Sequence, residues 1–358
     1  MNYNYPIFIG GDSLIEIDKF ISAGKYSAVF ILTDENVNNF CLPVLLKHSE
    51  RLKNAFVIEI PAGEEEKSIT VSAKIISVLL ENNADRKSLV INLGGGVIGD
   101  LGGFTASVYK RGIRFINIPT TLLSMVDASV GGKNGINFLE RKNIIGTFTN
   151  PEAVFIYPDF IKTLNPRETR SGYAEIIKHI LLSDAEKWNE IKSNGSVFSE
   201  DKNLLELIQQ SVRFKGAVTK DDFREENKRM ILNFGHTIGH AIESFYLKSK
   251  EPLTHGEAVA AGMVAELFLG FKLSGFPEAE MLVAILFIRN VFSDLNLNCK
   301  PEDLIPFLYA DKKNSHDKIA FSLLKSPGIP SGISFPPIEI IVESLIFLNE
   351  EFSRTTVQ

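Results

Sequence analysis

The chain has 358 residues, 44% of them hydrophobic and 23% charged, with a formal net charge of −6. This length exceeds the roughly 250–300 residues at which a single core usually stops growing, so two domains are expected. The composition is that of a globular protein in water, and the acidic balance argues against nucleic acid as a partner.

Two lone cysteines, Cys41 and Cys299, imply no disulfide framework and suit a reducing compartment, with the cytoplasm as the expected location. No basic stretch followed by an apolar one opens the chain, so no signal peptide is expected. The apolar run from Gly256 to Phe271 carries Glu257 and Glu266 and reads as a buried helix, too polar to span a bilayer. No membrane partner is expected.

In chain order, Ala28 to Thr33 reads as a strand ending at Asp34, and Phe56 to Ile60 as another. A helical pattern runs from Ile69 to Asn82. Ser88 to Leu93 is a further strand that passes straight into Gly94-Gly-Gly-Val-Ile-Gly-Asp100, after which a helical pattern continues to Tyr109. Strand and helix in alternation predict a parallel sheet flanked by helices.

A strand that ends in three glycines and feeds a helix fits a phosphate cradle. Missing side chains let backbone N–H groups approach an anion, and the helix N-terminus adds favourable partial charge. A tight strand-to-helix turn is the plainer alternative. Asp34, at another strand end, is placed to bind a ribose hydroxyl and to repel a 2′-phosphate, which favours NAD over NADP. Here the acid precedes the glycine turn, whereas the usual order puts it about 20 residues later. The expected fold is therefore Rossmann-like in a non-standard order.

Arg111 to Pro119 carries the next strand, with Thr120 and Thr121 as hydroxyl donors at its end and Asp127 on the helical pattern that follows. Val130-Gly-Gly-Lys133 and Arg141-Lys142-Asn143-Ile-Ile-Gly146 are read as glycine-bearing loops that hold cations and an amide among apolar neighbours. After Pro166 helical periodicity takes over. Glu175 and Lys178 fall on adjacent turns of one face, which for a surface pair contributes only about 0.2–0.5 kcal/mol.

Leu204 to Lys220, carrying Lys215, and Asp221 to Glu243 read as helical runs. Within the latter, Arg229, Asn233, His236 and His240 follow i, i+4, i+7 and i+11, forming one polar stripe among Ile231, Leu232, Phe234, Ile238 and Ile242. Gly235 and Gly239 cost about 1 kcal/mol each in a helix interior, so they are expected to clear one side for another backbone or a ligand. His255 stands at the start of a further helix, and Ile319 to Leu324 reads as an isolated strand.

Glu175, His236 and His255 come from three helical segments. Two histidines and one glutamate would leave open positions, as catalytic zinc does. The His236/His240 pair equally suggests that both histidines bind metal, while the H-E-x-x-H protease motif is absent because Thr237 stands at its glutamate position. Spacing alone leaves both arrangements open.

In combination and order, these blocks resemble the 3-dehydroquinate synthase family of sugar-phosphate cyclases. The resemblance runs from Asp34 to about Leu324 and is carried by GGGVIGDLGGF from Gly94, RGIRFINIPTTLLSMVDASVGGK from Arg111 and RKNIIGTF from Arg141. SGYAEIIKH from Ser171, LNFGHTIGHAIE from Leu232 and HGEAVAAGM from His255 complete it. Asn134 departs from the threonine usual in the family. The resemblance implies an α/β, Rossmann-like NAD-binding domain over residues 1–167 and a mostly α-helical metal- and substrate-binding domain over residues 168–358.

It further implies that Glu175, His236 and His255 hold zinc, with cobalt able to replace it, and that His240 contacts the substrate phosphate. Asp34, Asn36, Glu64, Lys67, Gly95, Gly96, Val97, Asp100, Thr120, Thr121, Asp127, Lys142, Phe160, Thr163, Leu164 and Glu168 match positions lining the NAD site. Asp127, Lys133, Asn143, Lys178, Lys215, Arg229 and Asn233 match substrate-contacting positions. Arg111 matches an arginine that reaches the neighbouring subunit, implying a homodimer, and a further lysine should be Lys312 or Lys313.

The implied substrate is 3-deoxy-D-arabino-heptulosonate 7-phosphate, an intermediate of the shikimate route to aromatic amino acids and chorismate. The implied reaction is a transient NAD-dependent oxidation, phosphate elimination, reduction and intramolecular aldol closure. Another sugar-phosphate cyclase, a metal-dependent alcohol dehydrogenase of the glycerol dehydrogenase type and a non-catalytic zinc or nucleotide-binding protein are the rival readings.

Overall fold

The computed structural model of the chain describes residues 5–139, 141–193, 201–247, 249–309 and 318–353. Its backbone contacts group into two units, one of Met1–Thr169 with Leu205–Arg224 and the other of Arg170–Leu204 with Glu225–Gln358. This differs from a single boundary at residue 167, because Leu205–Arg224 groups with the sheet. Side chains supply the reason. Lys215 Nζ donates to the backbone oxygen of Asp127 at 2.6 Å and to Asp127 Oδ1 at 2.7 Å. The ring of Phe223 meets Phe148 edge-on at 5.9 Å.

The first unit is built on six parallel strands, β1 (Ile7–Ile9), β2 (Val29–Asp34), β3 (Phe56–Ile60), β4 (Leu89–Gly94), β5 (Arg114–Pro119) and, after a hairpin, β8 (Val154–Ile156). The order across the sheet is β1-β8-β5-β4-β2-β3. Near-continuous apolar runs suit strands covered on both faces, and every residue of β4 is buried. Phe30, Leu32, Ile58, Ile75, Leu79, Val90, Leu101, Phe104 and Phe115 form the core between the sheet and the helices Ile69–Glu81 and Gly96–Val108.

From β2 the chain goes to β3 on one side, then crosses to β4 on the other side of β2. That reversal is the topological switch point at which open α/β sheets bind ligands, outside the carboxyl ends of the strands. Asp34 ends β2 and Gly94 ends β4 on this edge, with Leu32 opposite Asn92 in the register.

Of the two segments read as cation-bearing loops, residues 130–132 do form a loop, which leads into a strand at Lys133, whereas residues 141–146 lie within a strand. β6 (Lys133–Phe138) and β7 (Arg141–Phe148) pair antiparallel, with Gly135 opposite Gly146. The glycines serve close backbone approach: a Cβ on Gly146 would lie 2.5 Å from the backbone oxygen of Asn134.

The second unit is mostly helical. The run Asp221 to Glu243 is not one helix, and the four-residue polar stripe therefore does not share a single helical face. Lys228–Asn233 is a 3₁₀ segment, and Gly235 at φ 79° precedes the helix His236–Tyr246. A Cβ on Gly235 would meet Met263 Cγ at 2.5 Å, and one on Gly262 would lie 2.0 Å from the backbone oxygen of Gly235. The cleared side thus receives the helix His255–Ser274, whose first turn is closed by a capping box between Thr254 and Glu257.

Ile319 to Leu324 is likewise not an isolated strand, since β9 (Phe321–Ser326) pairs antiparallel with β10 (Ile329–Ser334). Among the described residues no helix is long and apolar enough to cross a membrane.

Candidate metal centre and glycine cradle

In the second unit three segments deliver side chains to one point. Glu175 lies on the helix Pro166–Ser183 and is fully buried, His236 opens His236–Tyr246, and His255 opens His255–Ser274. His236 Nε2 is 3.5 Å and His255 Nε2 3.7 Å from the same oxygen, Glu175 Oε1. The two rings are 5.3 Å apart by their centroids, and one ligand atom from each of the three residues lies within 4.8 Å of the others.

Each imidazole is oriented through its other nitrogen. Nδ1–H of His236 donates to the backbone oxygen of Phe234 at 3.2 Å, and His255 Nδ1 faces Glu243 Oε2 at 3.5 Å. Such partners leave Nε2 as the lone-pair donor, the arrangement found around metal-ligating histidines. Burial disfavours the imidazolium of His255, but Glu175 and Glu243 outweigh it and raise its pKa to about 10. The two carboxylates thus favour positive charge at this point. One carboxylate and two imidazoles are a donor set suited to zinc or cobalt.

His240, Glu243 and His255 form a second donor group sharing His255, with the His240 and His255 ring centroids 6.1 Å apart. Geometry therefore brings both histidines of the H-x-x-x-H pair near His255, His236 together with Glu175 and His240 together with Glu243.

Lys178 touches Glu175 Oε2, with 2% of one side chain and none of the other exposed, so the pair is a desolvated one and not the surface pair its spacing suggests. Arg229 is buried on the 3₁₀ segment, and Asn233 Nδ2 donates to Glu225 Oε1 at 3.0 Å.

The helix segment beginning at His236 owes its position to a residue that periodicity did not single out. Glu266, fully buried, accepts from the backbone N–H of Gly235 at 2.7 Å, of Thr237 at 3.2 Å and of Ile238 at 3.4 Å. An acid in the middle of the apolar run Gly256 to Phe271, away from the helix start that Glu257 caps, is the available signal. For Glu243 the signal was its place three residues after His240.

In the first unit the glycine turn opens the helix Gly96–Val108, with Gly95 as an N-cap that has no side-chain cap bond. A Cβ on Gly94 would lie 2.5 Å from Ile98, and one on Gly95 3.1 Å from Thr121 Cγ2. Gly94, Gly95, Gly96, Pro119 and Ser124 line a small cavity there. The backbone N–H groups of a bare helix N-terminus suit a phosphate. Asp34 Oδ1 accepts from the N–H groups of Asn36 and Val37, and burial pushes its carboxyl up.

Lys67 Nζ donates to Asp100 Oδ2 and to Asn143 Oδ1, both at 2.6 Å. Burial raises the Asp100 carboxyl against the opposing pull of Lys67. Thr120 is buried, Thr121 bonds Ser124 at 2.8 Å, and Thr163 Oγ1 donates to the backbone oxygen of Phe160 at 2.7 Å. Val97 lies in the first turn of Gly96–Val108, Lys142 lies on β7, Leu164 follows the 3₁₀ segment Pro158–Thr163, and Glu168 lies in the first turn of Pro166–Ser183.

Arg111 is exposed at φ 69° after Lys110 at φ 48°, a turn held by Tyr109 Oη and Lys110 Nζ on the backbone oxygen of Ala84. Lys312 and Lys313 lie outside the described residues. Burial raises both cysteine thiols to about 11, so neither is an activated nucleophile.

Comparison with known proteins gives one consistent result. Residues 57–171 match the family model for the 3-dehydroquinate synthase N-terminal region and residues 172–314 that for its C-terminal region. The chain is 41% identical to 3-dehydroquinate synthase of Parabacteroides distasonis, covering 97% of this chain and 98% of the relative. It is 42% identical to that of Dictyoglomus thermophilum, covering 90% of each. Among solved structures, 2-epi-5-epi-valiolone synthase of Streptomyces hygroscopicus, with NAD+ and Zn2+ bound, is similar with a TM-score of 0.85 at 26% identity, covering 98% of both chains.

Proposed function

The chain belongs to the 3-dehydroquinate synthase family, and we propose that it converts 3-deoxy-D-arabino-heptulosonate 7-phosphate to 3-dehydroquinate and inorganic phosphate using NAD and a divalent metal. The observation that carries the metal part is the convergence of Glu175, His236 and His255 on one point. The similar valiolone synthase holds NAD+ and Zn2+, and the donor set here suits the same ion. Glu175, His236 and His255 would hold it, and when bound it supplies Lewis-acid polarisation of a substrate hydroxyl while NAD takes and returns a hydride.

The chain's own residues have separable tasks. The cradle of Gly95 and Gly96 presents N–H groups to the pyrophosphate of NAD, with Asp34 beyond β2 for a ribose hydroxyl. Lys133, Lys178, Lys215 and Arg229 supply the positive charge that an acidic protein needs for a substrate carrying a carboxylate and a phosphate. Arginine suits bidentate carboxylate recognition, and lysine acts as a point charge. Asn143 and His240 hold the phosphate, and these two favour the dehydroquinate reaction over other cyclisations. Fixing both ends of the substrate orients the final aldol closure. Arg111, presented on its left-handed turn, reaches the phosphate site of a second copy, so the enzyme works as a homodimer. Its location is the cytoplasm.

The test is an assay with catalytic NAD+ and the heptulosonate phosphate, following inorganic phosphate and NADH absorbance together. Phosphate release without accumulating NADH, stopped by a chelator and restored by Zn2+ or Co2+, is the expected result. Accumulating NADH without phosphate release would instead assign an alcohol dehydrogenase.

A further inference from the structure

The β6–β7 hairpin holds a residue to which none of these tasks falls. Asn137, near the end of β6, uses its main-chain N–H on the backbone oxygen of Lys67 at 2.7 Å. Its carboxamide works in both directions: Oδ1 accepts from the N–H of Asn143 at 3.0 Å, and Nδ2 donates to Glu64 Oε1 at 2.9 Å. Lys67 closes the circuit through its 2.6 Å bond to Asn143 Oδ1, and the same ammonium reaches Asp100. Asn143 sits at φ 53°, a left-handed conformation uncommon outside glycine and most readily adopted by asparagine and aspartate. Its N–H and its side-chain oxygen are both engaged in this circuit.

We propose that Asn137 is a positioning residue that ties the cofactor side of the first unit to its substrate side. It holds Asn143 in its left-handed conformation and fixes the carboxylate of Glu64, so that the two binding events are coupled through one amide. The inference rests on the reading that Glu64, Lys67 and Asp100 face NAD and that Asn143 faces the substrate phosphate. Among neutral side chains an amide is suited to the task, because it offers an acceptor to an N–H and a donor to a carboxylate at once.

Separated functions test it. Asn137→Asp keeps the acceptor for Asn143 but sets a like charge against Glu64. Asn137→Leu removes both bonds. Calorimetry with NAD+ and steady-state KM for the heptulosonate phosphate are read on the full-length, zinc-loaded protein. Asn137→Asp should weaken NAD+ about tenfold, the size of one lost charge-assisted bond, with substrate KM within about twofold. Asn137→Leu should weaken both about tenfold.

The double variant Asn137→Asp with Glu64→Gln restores a donor–acceptor pair with the roles exchanged. It should bind NAD+ no more weakly than Glu64→Gln alone, a non-additivity that general loosening of the fold would not give. Equal effects of Asn137→Asp on NAD+ and substrate, or additive losses in the double variant, would overturn the proposal. If Glu64→Gln alone leaves NAD+ affinity unchanged, the assignment of Glu64 to the cofactor is what fails.

Discussion

Replacing Glu266 by alanine should loosen the metal centre from a distance, through the start of the helix that carries His236 and His240. The carboxylate is fully buried and accepts from three backbone N–H groups at 2.7, 3.2 and 3.4 Å. A hydrogen bond to a charged group contributes about 1.5–3 kcal/mol, but three donors sharing one carboxylate do not add. Removing the carboxylate leaves these buried backbone N–H groups without their acceptor, at about 1–3 kcal/mol each, so a loss of about 4 kcal/mol is expected for Glu266→Ala.

Trp188 is the only tryptophan, is fully buried and lies in the second unit, so its fluorescence reports that unit alone. With a urea slope of about 2 kcal/mol per molar, the midpoint of chelator-treated protein should fall by roughly 2 M. Glu266→Gln, which keeps an acceptor but not the charge, should lose about half as much. A fall below about 0.5 M for the alanine variant would refute the argument that this carboxylate holds the helix start.

Metal affinity should depend on pH with a definite sign. The pKa of His255 is raised to about 10 in the ion-free protein, so below that pH a proton must leave before an ion binds. Affinity for Zn2+ or Co2+ should therefore climb about tenfold per pH unit towards that value, with about one proton released per ion in calorimetry run in two buffers. An affinity flat between about pH 6 and 8 would contradict this. His240→Ala should slow phosphate release while leaving about one ion bound per chain, and loss of that ion would return His240 to the ligand set.

Much of the first unit was legible because β2 to β5 are runs of branched residues that end in informative groups, Asp34 at one and the glycine turn at another. Strands β1 and β8, three residues each, are too short for a pattern and become strands by pairing, β1 with β8 and β8 with β5. Gly135 and Gly146 signal a loop in isolation, whereas across a hairpin they allow backbone contact. The break at Gly235 escaped detection because the polar spacing from Arg229 to His240 continues through it. What separates the 3₁₀ segment from the helix that follows is a left-handed residue packed against another helix, which is a tertiary fact. The grouping of Leu205–Arg224 with the sheet rests on Lys215 finding Asp127, a pairing 88 residues apart that no periodicity encodes. For the metal centre, spacing supplied the donor types, family resemblance chose among them, and the fold brought three of them to one point.

The most direct measurement is the metal content and Co2+ absorption spectrum of the purified protein beside those of Glu175→Gln, His236→Ala and His255→Ala. We predict about one ion per chain and a tetrahedral-type cobalt spectrum for the parent, with both lost or strongly reduced in each variant. An unchanged spectrum and full occupancy in Glu175→Gln would contradict the claim that this carboxylate and the two imidazoles hold the ion together.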